Sequence, residues 1–186
     1  MPEAQRTVAS PVGDLVLTAT ETGVTGVYFP TSRHLPLSPL SPHPLSSLPS
    51  GEWGTALLDR VEAQLKEYFA GSRTAFDLPL EPRGTEFQLS VWELLRKIPY
   101  GATTSYGELA CRLGDPHKTR AVGAANGANP IPIIVPCHRV VGSKGELTGF
   151  GGGLDRKRWL LEHEGALMAL GRREGTVGNN RDGMKQ

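Results

Sequence analysis

Within the first thirty residues, hydrophobic side chains recur at every second position over a short run, which is the pattern of a half-buried strand. Leu15, Leu17 and Ala19 recur with this period, and Val27 belongs to the next apolar run. Turns containing glycine and proline separate the runs. Residues 7–29 therefore predict an antiparallel β-meander.

Further along, the hydrophobic period lengthens to that of a helix. Residues 55–69 place their apolar side chains on one stripe, and residues 87–98 do so again. The second of these helices opens with Thr85 and Gln88 at the spacing of a capping box. Between the two helices, residues 77–80 predict a short strand.

Two short helices follow, at the spacing of a helix-turn-helix. Ser105 and Glu108 predict a cap for the first, and the second covers residues 118–126. The second helix carries Arg120 and Asn126 on a surface otherwise made of small residues. Such a surface suits close approach to the minor groove of DNA. Plain packing against another helix is the structural alternative.

The last part of the chain combines a flexible loop with a basic helix. Residues 148–153 hold four glycines around Phe150, which allows the backbone to approach a ligand closely. Asp155 is the expected N-cap of the final helix. The expected basic face of that helix consists of Arg156, Lys157 and Arg158.

These elements predict an α+β fold in two domains. A small N-terminal domain of antiparallel sheet plus helix is assigned to residues 1–82, with a Pro/Ser-rich loop at 30–54. A mainly helical C-terminal domain with a helix-turn-helix is assigned to residues 83–170. Residues 171–186 are polar and glycine-rich and predict a disordered tail.

Composition indicates a globular protein of the cytoplasm. Hydrophobic residues make up 38% and charged residues 21% of the chain. No apolar run reaches the roughly 18 residues of a membrane span, and the N-terminus lacks the pattern of a signal peptide. A cytoplasmic location is therefore expected.

Charge is distributed unevenly along the chain. Residues 1–80 hold 5 Lys/Arg and 8 Asp/Glu, a net charge of −3, whereas residues 81–186 hold 15 and 11, a net charge of +4. This asymmetry suggests that the second half meets a polyanion. Ordinary solvation of the surface is the alternative.

The candidate chemistry lies at residues 136–139, Pro-Cys-His-Arg. A thiol is nucleophilic as a thiolate, so Cys137 needs a base, and His138 follows it directly. Neighbours on a strand point to opposite faces, so this pair requires a turn or a bridging water. Glu164 is the candidate carboxylate that orients the imidazole. The alternative is that Cys137 is a small buried hydrophobe, which is also the expectation for Cys111.

The sequence contains no recognisable set of metal ligands. Two cysteines, 26 residues apart in the numbering, form neither a Cys-x-x-Cys motif nor a thiolate zinc site. No metal and no cofactor are expected.

The cysteine segment resembles the active-site signature of the O6-alkylguanine-DNA alkyltransferases (methylated-DNA–protein-cysteine methyltransferases). The resemblance covers nearly all of residues 84–165. Six blocks occur in the order of the family: GTEFQLSVWELLRKIPYG, TSYGELA, RAVGAANGANP, IPIIVPCHRVVG, LTGFGGG and KRWLLEHEG. The N-terminal half matches only in layout. Residues 83–170 would then be the DNA-binding alkyltransferase domain.

The resemblance implies a role for each candidate residue. Cys137 would accept the alkyl group, with His138 as its base through a water and Glu164 orienting the imidazole. Tyr106 would hydrogen-bond the base and supply a proton, and Asn129 would help to hold the network. The implied DNA contacts are Arg120, Ala121, Gly123, Ala124, Asn126, Gly127 and Arg139. The implied substrate pocket is lined by Tyr106, Pro132, Val140, Phe150, Gly151 and Gly152.

The implied activity is direct DNA repair in which one molecule repairs one lesion. The substrate would be O6-alkylguanine, or O4-alkylthymine, in a base flipped out of double-stranded DNA. Arg120 would fill the vacated stack, binding would be through the minor groove with little sequence specificity, and the protein would act as a monomer.

Two other classes of function compete with this interpretation. A helix-turn-helix regulator or lesion-flagging DNA binder would use Cys137 as a sensor, but the second helix lacks the side chains that usually read bases. A cysteine hydrolase using Cys137, His138 and Glu164 would need turnover and an oxyanion hole.

Overall fold

The computed structural model describes residues 3–30 and 52–167. Most of the predicted 30–54 loop and all of the predicted 171–186 tail lie outside the described residues.

A three-stranded antiparallel sheet forms the N-terminal part, as predicted. Its strands are β1 (Ala4–Val8), β2 (Leu15–Ala19) and β3 (Val24–Tyr28), in the order β1-β2-β3. Helix α1 (Glu52–Phe69) packs on β1 and β2 and begins three residues before the predicted start. The apolar stripe of α1 and the alternating strand residues meet in the interior. Fully or almost fully buried members are Leu15, Leu17, Val27, Leu58, Val61 and Leu65.

The strand predicted at 77–80 is reduced to a single bridge. Leu80 pairs in parallel with Val24, which donates its N–H to the Pro79 carbonyl at 2.8 Å and accepts from the Glu81 N–H at 2.8 Å. Pro79 has no N–H to contribute to a ladder, so the pairing does not extend.

The second half is mainly helical. It contains α2 (Glu86–Arg96), β4 (Thr104–Ser105), α3 (Tyr106–Arg112), α4 (Thr119–Gly127), β5 (Val140–Val141) and α5 (Leu154–His163). The capping boxes predicted for α2 and α3 are both present, with Thr85 and Ser105 as the N-caps. These caps satisfy N–H groups of the first turn that have no partner within the helix.

Helices α3 and α4 form the predicted helix pair. A short 3-10 turn (Pro116–Lys118) joins them, and they pack against each other. Helix α4 also packs on α2, where the Trp92 indole N–H donates to the Ala125 carbonyl at 2.8 Å. The α+β prediction with its helix-turn-helix is therefore confirmed.

The start of α5 differs from the prediction. Gly153, with φ of 92°, occupies the N-cap position, and Asp155 lies in the first turn without a side-chain capping bond. Asp155 can still interact favourably with the positive end of the helix dipole there.

Both halves contribute to one buried hydrophobic cluster. It extends from Val8 and Leu17 in the sheet through Leu95 and Leu109 to Leu160 in α5. The division at residues 82–83 stays a prediction. Among the described residues, none of the helices has the length and apolar character needed to cross a membrane.

Candidate active site

Cys137 lies on a tight turn and not on a strand. The buried run before it ends at Pro136, and Cys137–Arg139 form one turn of 3-10 helix. Because the backbone turns here, consecutive side chains need not alternate between faces, and Cys137 and His138 are both buried. The turn that a working Cys–His pair requires is thus present.

Asn129 holds the run that leads to this turn. Its side-chain amide donates to the Val135 carbonyl at 2.8 Å, and its side-chain oxygen accepts from the Ile131 N–H at 3.1 Å. Between them, Ile133 adopts φ of 75°, a left-handed conformation that is rare for a β-branched residue and persists only where surrounding structure enforces it. Asn129 therefore fixes the segment that leads into the turn carrying Cys137.

The surroundings of Cys137 keep its sulfur protonated at rest. Burial raises the pKa of the thiol to about 11, in spite of opposing effects from the Asn129 amide, the Lys157 charge and nearby backbone N–H groups. These groups favour the thiolate without being sufficient to form it at neutral pH. Deprotonation must therefore be coupled to a base.

Glu164 follows the last residue of α5 and accepts hydrogen bonds from four residues. Its Oε1 is 2.8 Å from His138 Nε2 and 2.9 Å from Arg139 Nη2, and it accepts from the Tyr68 hydroxyl at 2.7 Å. Its Oε2 accepts from Arg139 Nε at 2.8 Å and from the Gly101 N–H at 3.3 Å. Burial alone would raise the pKa of the carboxyl, but His138 and Arg139 outweigh it and hold the pKa well below its usual range.

The ionised carboxylate determines the tautomer of His138. A carboxylate can only accept, so Nε2 of His138 carries the proton and Nδ1 carries the lone pair. Nδ1 is buried and has no hydrogen-bond partner among the described protein atoms. Burial lowers the pKa of the imidazole, with Glu164 opposing the shift. His138 is therefore a neutral base.

Two predicted DNA contacts point into the protein. The Arg139 guanidinium is 6% exposed and is bound by Glu164 and by the Ile98 carbonyl at 2.6 Å. Asn126 is 2% exposed, and its amide lies 3.4 Å from the Cys137 carbonyl. Since neither side chain reaches the surface, the structure does not support DNA contact by either.

Lys157 is the site residue that the sequence interpretation missed. It was expected on a basic face but is fully buried, and its ammonium donates to the carbonyls of Val140 at 2.6 Å and Thr148 at 2.5 Å. Burial lowers its pKa to about 8, against the influence of Cys137. Helical spacing carried the signal, because Lys157 shares a face with Leu160, Leu161 and Glu164.

The remaining predicted DNA contacts, all on α4, are accessible to solvent. Arg120, Ala121 and Ala124 are exposed, and Gly123 and Gly127 are partly exposed. They form a smooth surface from which one long cationic side chain projects. This surface is compatible with the predicted DNA contact, which stays a prediction.

Tyr106 connects α3 to the glycine-rich loop. Its hydroxyl donates to the carbonyls of Thr148 at 3.0 Å and Gly149 at 3.3 Å. Burial raises the pKa of the phenol, with Cys137 acting in the same direction. Tyr106 therefore keeps its phenolic proton, and Cys137 is close enough to influence its pKa.

The remaining pocket candidates occupy different environments. Val140 and Pro132 are buried, Val140 in β5 and Pro132 bridging to Val135. Phe150 packs edge-on against Phe29 at 5.9 Å between ring centroids. Their contribution to a substrate pocket stays a prediction, as does that of Gly151, which is exposed, and Gly152, which is buried.

The glycine-rich loop offers a matched pair of substitutions. A Cβ on Gly152 would lie 2.6 Å from the Phe29 ring and 2.8 Å from the Phe150 ring, whereas one on Gly151 would lie 3.5 Å from the Gly127 carbonyl. We expect Gly152→Ala to lower the free energy of unfolding by about 1–3 kcal/mol through overpacking, and Gly151→Ala to change it little. Urea unfolding measures both; equal values would contradict this packing.

Cys111 was expected to be buried and is exposed. It lies near the C-terminal end of α3, on the side of the helix opposite the buried Leu109 and Ala110. Among the described residues, no group of three or more His, Cys, Asp or Glu side chains could hold a metal ion.

Comparisons with known proteins agree with this geometry. Residues 86–166 match the family model described as 6-O-methylguanine DNA methyltransferase, DNA binding domain, and residues 5–82 match its ribonuclease-like domain. The methylated-DNA–protein-cysteine methyltransferase of Mycobacterium tuberculosis is 47% identical over 165 residues, covering 86% of this chain and 90% of the relative. That of Methanosarcina acetivorans is 58% identical over 103 residues, covering 55% and 66%.

A solved structure supports the same assignment. The crystal structure of Mycobacterium tuberculosis OGT in complex with DNA is similar with a TM-score of 0.71 and 44% identity, covering 87% of this chain and 92% of that one. The two family models together span most of the described residues. The chain therefore belongs to the 6-O-methylguanine DNA methyltransferase family, and it is a methylated-DNA–protein-cysteine methyltransferase, the enzyme class that the cysteine segment predicted.

Proposed function

We propose that this protein repairs DNA by transferring the alkyl group of O6-alkylguanine irreversibly to the sulfur of Cys137. The observation that carries the proposal is that a buried, ionised Glu164 holds His138, the residue next to the buried Cys137, as a neutral imidazole whose Nδ1 has no hydrogen-bond partner among the described protein atoms. The DNA complex of the Mycobacterium tuberculosis relative supports a DNA substrate.

The first step is removal of the thiol proton. Nδ1 of His138 accepts this proton through a bridging water, as the sequence resemblance implies. Glu164 stabilises the resulting imidazolium. The Lys157 charge and the Asn129 amide stabilise the thiolate as it forms. Coupling the two events makes the high pKa of the resting thiol compatible with reaction at neutral pH.

The second step is an in-line displacement at carbon. The thiolate forms the S–C bond as the C–O6 bond breaks, and the electron pair of that bond leaves with guanine. Tyr106 gives its phenolic proton to the departing purine and is reprotonated from the imidazolium or solvent. The product is a thioether that thiol exchange does not reverse, so one molecule removes one lesion.

Access to the base requires DNA distortion. The alkylated oxygen is inaccessible inside a duplex, so the nucleotide must be flipped into the site. We assign docking in the minor groove to the exposed small-residue face of α4, which allows close approach with little sequence reading. The protein would act as a monomer in the cytoplasm and without a cofactor.

One mass measurement tests the proposal. The protein is incubated with duplex DNA containing O6-methylguanine, and the peptide that holds Cys137 is weighed. A gain of one methyl group, with loss of O6-methylguanine from the DNA, is the expected result. An unchanged mass together with tight lesion binding would instead indicate a lesion-flagging protein, and repeated turnover would indicate a hydrolase.

Arg120 is expected to act in base extrusion. Its exposed position on α4 allows the side chain to enter the base stack, so Arg120→Ala should slow repair of duplex DNA by about 10–100-fold, the loss of a few kcal/mol of unstacking compensation. Transfer from free O6-alkylguanine should be nearly unchanged. Transfer rates on the two substrates measure the split.

Lys118→Ala is the matched control for Arg120→Ala. It removes another exposed cation beside the start of α4, which is paired with Asp115 at 3.8 Å. We expect only a small, salt-dependent loss of DNA affinity. Equal losses on duplex and free base in Arg120→Ala would contradict the extrusion role.

A further inference from the structure

A hydroxyl group of the N-terminal half reaches the buried carboxylate of Glu164. Tyr68 lies in the last turn of α1, 96 residues before Glu164, and its side chain is fully buried. The hydroxyl donates to Oε1 of Glu164 at 2.7 Å in the interior. This is the same oxygen that lies 2.8 Å from Nε2 of His138.

The aromatic ring of Tyr68 is fixed from several sides. It packs against the rings of Phe76, Tyr100 and His163, with ring centroids 5.5, 6.2 and 5.2 Å away, respectively. The His163 ring N–H also donates to the Tyr68 carbonyl at 2.7 Å. A ring held in this way presents its hydroxyl at one position without a further loss of rotamer freedom.

The position of that hydroxyl determines how the carboxylate is oriented. Arg139 donates to both oxygens of Glu164. These two bonds alone would allow the carboxylate to rotate toward the guanidinium and away from His138. The Tyr68 hydroxyl donates only to Oε1, which is the oxygen that also bonds His138. It therefore holds that oxygen in line with the imidazole while sharing its negative charge.

We infer that Tyr68 is a positioning residue of the alkyl-transfer site, supplied by the N-terminal half to hold Glu164 against His138. The expected effect of Tyr68 on the transfer rate rests on the proposed function, whereas its effect on the orientation of Glu164 does not. The Tyr68 hydroxyl bonds the carboxylate of Glu164, and it acts on His138 through that carboxylate. The N-terminal half is then part of the reactive centre as well as of the fold.

Removing the hydroxyl has two expected consequences. In Tyr68→Phe, Oε1 loses the donor that holds it in line with the imidazole, so the carboxylate turns toward Arg139 and the His138 Nε2–H bond weakens. The NMR resonance of that proton should move upfield. Transfer to Cys137 should slow about tenfold, the effect of one hydrogen bond to a charged group.

Tyr100→Phe is the matched control. It removes a hydroxyl from the same aromatic cluster, but this one donates to the His163 carbonyl at 3.3 Å and not to Glu164. The Nε2–H resonance and the transfer rate should both remain close to those of the unmodified protein. The same change in both variants would overturn the inference, because it would indicate loosened packing.

A second variant keeps every packing contact. Introducing 3-fluorotyrosine at position 68 makes the hydroxyl a stronger donor with little change in shape, so Oε1 is held more firmly in line with the imidazole and the Nε2–H resonance should move downfield. This variant decides the matter if Tyr68→Phe does not fold. An unmoved resonance in the variants that fold, or a moved resonance with an unchanged transfer rate, would overturn the inference.

The two proposals fail in distinguishable ways. If the unmodified protein gains no methyl group, the proposed function fails, but the resonance still reports whether Tyr68 orients Glu164. If the methyl group is gained and the resonance does not respond to Tyr68, the function stands and the positioning role is wrong.

Discussion

Replacing Cys137 by serine is expected to abolish alkyl transfer and leave DNA binding intact. Serine has nearly the same shape, so the 3-10 turn and its contacts should persist. A hydroxyl is far less acidic than a thiol, and the neutral His138 imidazole cannot generate an alkoxide from it. Intact mass after incubation with O6-methylguanine DNA should show no added methyl group, whereas a gel-shift assay should show unchanged affinity.

Cys111→Ser is the control for this variant. Cys111 is exposed on α3, and surface substitutions of this kind change stability by less than about 0.5 kcal/mol. The variant should gain one methyl group at a rate within about twofold of the unmodified protein. Methyl transfer to the Cys137→Ser protein, or loss of transfer in Cys111→Ser, would refute the assignment of the acceptor.

Glu164→Gln is expected to damage both reaction and fold. A neutral amide cannot stabilise the imidazolium of His138, so His138 should lose its contribution as general base, and transfer should slow by about 10²–10⁴-fold. The Arg139 guanidinium would remain buried without a counter-charge. Breaking a buried ion pair in this way costs about 3–5 kcal/mol of unfolding free energy. Urea unfolding and the rate of methyl transfer measure the two losses.

The pH dependence of stability provides a sharper signature of Glu164. The pKa of this carboxyl is lower in the folded protein than its ordinary value of 4.5, so its contribution is present above pH 4.5 and is lost as the pH falls toward the folded pKa. A second loss belongs to His138: burial lowers the pKa of its imidazole in the folded protein, so its contribution begins to be lost as the pH falls through the ordinary value of 6.5. Glu164→Gln should reduce the dependence below pH 4.5, and the part that remains belongs to other carboxyls with a lowered pKa, which are Glu62, Glu81 and Glu108.

Glu162→Gln serves as the control on the same helix, because Glu162 is exposed. It should keep the full loss of stability below pH 4.5 and the full transfer rate. If Glu164→Gln retained the same acid dependence as the unmodified protein, the stabilising charge would have to reside on another carboxyl.

Local signals in the sequence predicted most of the framework. The caps at Thr85 and Ser105 and the alternation of Leu15 and Leu17 depend on neighbours within a few residues, so they could be recognised without the fold. The strand predicted at 77–80 was wrong in extent because Pro79 interrupts hydrogen bonding that the apolar pattern alone does not report.

Long-range partners account for what the sequence did not predict. Lys157 was expected on the basic face of the last helix, and Arg139 and Asn126 were expected among the DNA contacts; side chains of these types are mostly exposed in proteins. The structure buries all three by supplying carbonyl or carboxylate partners from distant segments. The contact of Tyr68 with Glu164 spans 96 residues, and helical spacing could identify Tyr68 only as an apolar position of α1.

The main hydrophobic cluster, which both halves share, has a consequence for how the protein loses its structure. Side chains from β2, α2 and α5 share one interior, so the cluster gives neither half a separate core to keep when the other opens. Heat or denaturant is then expected to unfold both halves together. Damage to the strands near the N-terminus should therefore disturb the surroundings of the Cys137 sulfur, more than one hundred residues away along the chain.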